Sequence, residues 1–337
     1  MHFLAIVLII FASFFQGSFG LGMKHMAPLK WEAWWLVHSF VAMILMVMAW
    51  SYIAVPETFT IISLTDQSVL FYAMLFGFLW GIGGILFGVS VEYTGISITY
   101  GIVMGLAASV GSIIPLFQIE GATSEPSFYI VLAGVGLLLV GVLITAIAGV
   151  KRDQLLQGEA DTNAQQKSIK TGVLIAVTSG VLSAFLNVGF SNATPVAEMA
   201  INEFGADPKD ASLVAWAVVL IGAFIMNGGY ALYKLTRNKS WSSFKVANSK
   251  KAYGWAILAG LFWFAALGVY GRGAALMGPL GPVIGWPMLL GLALIISNIW
   301  GYRSGEWKGA KGPFKILLMG LAVLIVATCI LGYANME

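Results

Sequence analysis

Gly77-Phe78-Leu79-Trp80-Gly81-Ile82-Gly83-Gly84-Ile85-Leu86-Phe87-Gly88-Val89-Ser90-Val91-Glu92-Tyr93-Thr94-Gly95 is a stretch that occurs a second time, 183 positions later. Setting Gly77 on Gly260 brings Trp80 onto Trp263, Gly88 onto Gly271 and Gly95 onto Gly278. Gly-Phe-Leu-Trp answers Gly-Leu-Phe-Trp in the same frame, and each copy runs through a glycine-containing turn into another apolar run. Self-similarity at a long, fixed period is the mark of a duplicated architecture. The chain therefore reads as two copies of one unit.

Composition names the solvent. Of 337 residues, 59% are hydrophobic and 10% charged, against about a quarter charged in a soluble domain. The 40 glycines and 12 tryptophans suit helices that pack closely in lipid with aromatic rings at headgroup level. The single Cys329 excludes an internal disulfide.

Crossing about 30 Å of hydrocarbon takes roughly 20 helical residues. The sequence offers ten such runs, at approximately 2–22, 31–54, 68–91, 95–116, 127–150, 170–192, 210–233, 252–271, 278–298 and 313–334. No period-2 alternation marks a membrane barrel, so the runs are read as helices. Placing the N-terminus outside puts 16 of the 18 basic residues on the cytoplasmic side, with only Lys209 and Arg272 outside. Both termini then face the outer side of a cell inner membrane. The polar stretch 151–170 reads as a cytoplasmic linker between a first unit, 1–150, and a second, 171–337. Five is odd, so the second unit enters the membrane the other way up. The expected fold is an all-α polytopic membrane protein with a 5+5 inverted repeat, the plan of secondary transporters.

A second echo, at an offset of 171, sets Phe15-Gln16-Gly17-Ser18-Phe19 against Leu186-Asn187-Val188-Gly189-Phe190, each followed by a proline, Pro28 or Pro195. Past Pro195 a short helix at the outer leaflet is expected. Carboxamides in apolar helices need a partner or a task, and Gln16 and Asn187 offer donors and acceptors that suit sugar hydroxyls. Trp80, Trp263 and Trp286 lie inside their spans, where an indole face stacks on a pyranose ring. Tyr270 and Asn192 complete the candidate substrate contacts. Glu198, after the proline break, and Glu92, closing the third run, are the candidate proton-coupling acids; Glu32 reads as complementing a helix dipole and His38 as a bonded interior residue. Glycine pairs four apart, at 77/81, 84/88, 101/105 and 281/285, predict tight helix crossings. Gly81-Ile82-Gly83-Gly84 has neither a preceding strand nor a following Lys-Ser/Thr, so it is no nucleotide loop. The three histidines and one cysteine form no metal-ligand pattern.

Several of these runs resemble the L-rhamnose/proton symporter family of the drug/metabolite transporter superfamily. They are Trp80-Gly81-Ile82-Gly83 with Gly88 and Tyr93-Thr94-Gly95-Ile96-Ser97, Lys30-Trp31-Glu32, Pro195-Val196-Ala197-Glu198 and Glu306-Trp307. The resemblance spans nearly the whole chain in order. It implies proton-coupled uptake of a 6-deoxyhexose such as L-rhamnose or L-fucose, with the proton as coupling ion and no cofactor. The carrier would be a monomer or weak homodimer in the bilayer with no nucleic-acid partner. The chain departs from the family where polar side chains give way to Gly84, Leu86 and Phe87, where Glu92 replaces a basic residue, and where Pro282 or Val283 replaces an acid. An exporter of another small metabolite is the alternative within the same fold. An enzyme would need a nucleophile with a base and a channel a continuous polar path; neither pattern is present.

Overall fold

The computed structural model describes residues 2–157 and 169–334, and among these every regular element is helical. α1 (His2–Ser18) tightens into a 3-10 turn at Phe19–His25. α2 (Trp31–Phe40) passes through a π turn at Val41–Leu45 into α3 (Met46–Ala54). Then come α4 (Thr58–Leu64), α5 (Gln67–Gln118), α6 (Pro126–Gln157), α7 (Ile169–Asn192) and α8 (Thr194–Phe204). The order closes with α9 (Pro208–Arg237), α10 (Lys250–Ala275), α11 (Gly281–Arg303) and α12 (Lys311–Ala334).

Nine helical stretches among the described residues are long and apolar enough to cross a membrane, so the protein is a multi-pass membrane protein. The sequence predicts ten, and the difference lies in α5. Its 52 residues would extend about 78 Å as a straight rod, more than twice the roughly 30 Å of hydrocarbon. Gly95 interrupts it with φ 76° and ψ 165°, a backbone conformation open essentially to glycine alone. The expected runs 68–91 and 95–116 are the two arms on either side of that break.

Close approach explains several glycines. A Cβ on Gly77 would lie 2.0 Å from the Val219 carbonyl oxygen, and one on Gly222 would lie 1.8 Å from that of Met74. The first arm of α5 and α9 therefore touch backbone to backbone. Gly101 and Gly105 face Ala146 and Leu139 of α6, while Gly281 and Gly285 face Ala274 and Tyr270 of α10. Gly84 and Gly88 differ from this expectation: no atom lies within 4 Å of a Cβ at either, and both are exposed. Spacing alone marks a small-residue face and does not say that a neighbour covers it.

Each of two helices embraces a pair. α1 packs on α10 and α11, and α7 packs on both arms of α5, through Gly83 against Ser179 and Ser183 and through Gly180 against Val103 and Leu106. α2 lies on α9 and α10, α5 on α9, and α6 on α12. The expected short helix after Pro195 is α8, with Pro195 in its first turn and Gly205 (φ 67°) ending it. α6 runs on to Gln157 and α7 begins at Ile169, so Glu159, Asp161, Asn163 and Lys167 of the expected linker lie outside the described residues.

Loop carboxylates start two helices. Asp66 accepts from the Ser68 hydroxyl and amide ahead of α5, and Asp207 accepts from the Lys209 ammonium and amide ahead of α9. These bonds hold both carboxyls below the ordinary carboxylate pKa, because they favour the charged form.

Candidate functional site

The two stretches that echo each other in sequence meet in the fold. Trp80 on the first arm of α5 and Trp263 on α10 lie in ring contact, with centroids 5.3 Å apart and planes at 34°. Trp263 is 5% exposed, while Trp80 keeps more of its surface open. Phe262, next to Trp263, meets Phe15 of α1 edge to face at 5.3 Å. One residue on, Gln16 has a buried Oε1 with no hydrogen-bond partner. An unpaired buried acceptor costs about 1–3 kcal/mol, so a donor that reaches it gains that much back.

Asn187 is the opposite case. Fully buried on α7, it donates to the carbonyls of Gly111 (2.8 Å) and Pro282 (2.9 Å) and accepts from the Tyr270 hydroxyl at 2.5 Å. One side chain thus joins α7, the second arm of α5, α10 and α11. Trp286 strengthens this node by donating from Nε1 to the Ala107 carbonyl at 2.9 Å, and its ring meets Tyr270 at 5.6 Å. Gly111 leaves room for it: a Cβ there would lie 2.7 Å from Trp286 Nε1. Phe190 and Trp216 stack at 4.4 Å against the same tyrosine. Ser112 donates to Val283 at 2.5 Å and closes the contact between the second arm of α5 and α11.

The structure therefore divides the predicted substrate residues into two groups. Asn187, Tyr270 and Trp286 sit together in a bonded node. Trp80 and Trp263 meet between α5 and α10, and Gln16 lies on α1 next to Phe15, whose ring meets that of Phe262. Asn192 stands apart from both, donating to the Val188 carbonyl one turn back on α7. Glu198 on α8 and Glu92, three residues before the Gly95 break, are exposed.

Sequence reasoning missed several charged contacts. Asp210 pairs with Arg272 at 2.8 Å, and the guanidinium lies over the Trp50 ring. Glu306 meets Lys24 at 2.7 Å and Arg152 at 3.5 Å, and Arg152 also holds Asp153 and lies over Trp307. Arg272 was already conspicuous as one of two basic residues outside the positive side. The Glu306 pairs join positions more than 150 apart and have no local signature.

The family described as L-rhamnose-proton symport protein (RhaT) matches residues 3–336. The chain belongs to that family. It is a family of transporters and not of enzymes. Relatives include the L-rhamnose-proton symporter of Citrobacter koseri, 28% identical over 318 residues, 92% of this chain and 91% of the relative. That of Escherichia coli strain K12 / DH10B is 29% identical over the same shares of the two chains. Both the resemblance on Trp80-Gly81-Ile82-Gly83 and the family-wide match thus reach the same family, and the match covers the segments that carry the bonded node as well.

Proposed function

We propose that this protein is a proton-coupled symporter of the bacterial inner membrane that takes up a 6-deoxyhexose, L-rhamnose or L-fucose, by alternating access. The observation that carries this is the Trp80–Trp263 contact: rings at equivalent positions of the two copies meet at a tilt between the halves of the chain. Relatives named L-rhamnose-proton symporters support the cargo class and the coupling ion.

Counting the two arms of α5 separately gives ten spans and a five-plus-five inverted repeat, with units 1–150 and 171–337. Three features support that reading. α1 embraces α10 and α11 as α7 embraces the arms of α5. Gly77 approaches α9 as Gly260 approaches α2, where a Cβ would lie 3.0 Å from the His38 carbonyl oxygen. Gly95 and Gly278 both have positive φ at the turns that follow, 76° and 68°. The basic residues then face the cytoplasm and both termini face out.

Sugar binds against the indole faces of Trp80 and Trp263, with Gln16 Oε1 accepting a hydrogen bond from a sugar hydroxyl and Asn192 at the rim. Asn187, Tyr270 and Trp286 hold α7, α10, α11 and the second arm of α5 in register around it, and exchange partners as the halves tilt. Glu198 and Glu92 are solvent-accessible carboxylates for the proton at the two ends of the path. Gly84, Leu86 and Phe87 make the wall after Trp80 apolar, which suits the methyl group of a deoxysugar. Proteoliposomes carrying the full chain should accumulate labelled L-rhamnose or L-fucose only under an inward proton gradient. Equal uptake with and without the gradient, or none of either sugar, would overturn the proposal.

A further inference from the structure

His38 is 1% exposed and enclosed by rings: Trp34 at 5.3 Å and nearly parallel, Trp35 at 5.0 Å, and Phe19 at 6.1 Å. One side of the imidazole is tied to the backbone of Ala256 on α10. Its Nδ1 is buried and has no partner. Phe19 also lines a cavity of about 40 Å³ between the 3-10 turn after α1 and α10, together with Ser18, Gly22, Trp255, Ala259 and Phe262. That is room for a water molecule, which needs about 10–15 Å³. On the far side His25, exposed, stacks on Trp255 at 4.5 Å. Two rings that line this cavity, Phe19 and Trp255, thus each carry a histidine on their other side, the enclosed His38 and the exposed His25.

We infer that His38 is the interior proton carrier of the transport cycle, and that the proton leaves through this cavity to His25. The inference rests on the proton-symport reading above and names its buried group. The ring and hydrogen-bond partners of His38 include no charged side chain. On the elements around it the titratable groups are Glu32 on α2, Lys24 and His25 in the 3-10 turn, Lys209, Asp210, Tyr230, Tyr233, Lys234 and Arg237 on α9, and Lys250, Lys251, Tyr253, Tyr270 and Arg272 on α10. Glu32 is occupied by Asn238 and Ser240. The charge of an imidazolium is met instead by aromatic faces, which attract cations. On release the Nδ1–H bond breaks, water that enters past the Phe19 ring takes the proton while giving one of its own to His25, and His25 passes that proton to the cytoplasm. His38 returns to neutral imidazole, so charge and protons balance.

The test uses the full chain in two measurements. In proteoliposomes, His38→Gln should reduce gradient-driven accumulation at least tenfold while sugar counterflow, which needs no net proton movement, stays within twofold of the parent. His25→Gln, a surface change, should slow net uptake several-fold and leave counterflow alone. Without any sugar, tryptophan fluorescence of the parent should show a pH-dependent quench from Trp34 and Trp35 that His38→Gln removes. Retained accumulation in His38→Gln, parallel loss of accumulation and counterflow, or a fluorescence titration identical in parent and variant would each overturn the assignment. If the parent transports no deoxysugar but shows the His38-dependent quench, the substrate reading fails while the proton site stands.

Discussion

The two stretches that echo each other 183 positions apart pack differently. In the first, Gly77 and Gly81 are pressed against α9, whereas Gly84 and Gly88 look into open space. In the second, the partner of Gly88 is Gly271, where a Cβ would lie 2.6 Å from Trp216 Nε1 and 3.2 Å from the Ser212 hydroxyl. Trp263 is nearly enclosed and Trp80 is not. One copy has been absorbed into a packed core with the Phe190, Trp216 and Tyr270 rings, while the other has kept an uncovered face. In the alternating access proposed above, the fixed wall gives the moving one something to close against.

The largest effect should come from the tightest contact. Gly77→Ala places a Cβ 2.0 Å from backbone oxygen, and backbone cannot swing aside, so α5 and α9 must separate and folded protein in detergent should be lost. Gly260→Ala, at 3.0 Å from the His38 oxygen and the Val41 side chain, should fold with a lowered melting temperature. Equal melting temperatures for the two variants would refute the difference drawn between the copies.

Next in size is the carboxamide pair. Asn187→Ala strips three hydrogen bonds from buried partners, at about 1–3 kcal/mol for each group left unpaired, and should lower the melting temperature by many degrees. Gln16→Ala removes an acceptor that has no partner. It should leave stability unchanged or improved and weaken sugar binding. A thermal-shift series with L-rhamnose and L-fucose reads both effects together, and a reversed order would break the division of the site into node and binding group.

At the turns, Gly95→Ala forces a side chain into a conformation open essentially to glycine, at a cost of about 1–3 kcal/mol. Gly278→Ala at φ 68° should cost less, because ordinary residues do visit the left-handed region. The smallest effect is expected at Gly88→Ala. With no atom within 4 Å, the substitution should raise stability by about 0.5–1 kcal/mol through helix propensity alone. If it instead slows transport with stability unchanged, the open face closes on something during the cycle.

Much of this was legible before any coordinates. The apolar runs required helices because lipid offers backbone amides no other partner. Gly77, Trp80 and Gly95 recur at one offset and keep the same local roles at both sites: close approach, ring contact and positive φ. What the linear pattern concealed was the state of each polar group. Gln16 and Asn187 look alike as lone carboxamides in apolar helices, yet one lacks a partner and the other has three, supplied by residues 76, 83 and 95 positions away. Gly84 and Gly88 look like Gly77 and Gly81, yet only the second pair is covered.

The sequence by itself determined the solvent, the helical class and the family, because these depend on composition and spacing, which are local. Tertiary structure alone decided that Trp80 touches Trp263, that Asn187 is saturated, that Glu306 gathers Lys24 and Arg152, and that His38 lies among rings, one of which lines a small cavity. Hydrogen-bond saturation and burial are properties of neighbours, and neighbours are chosen only when the chain packs.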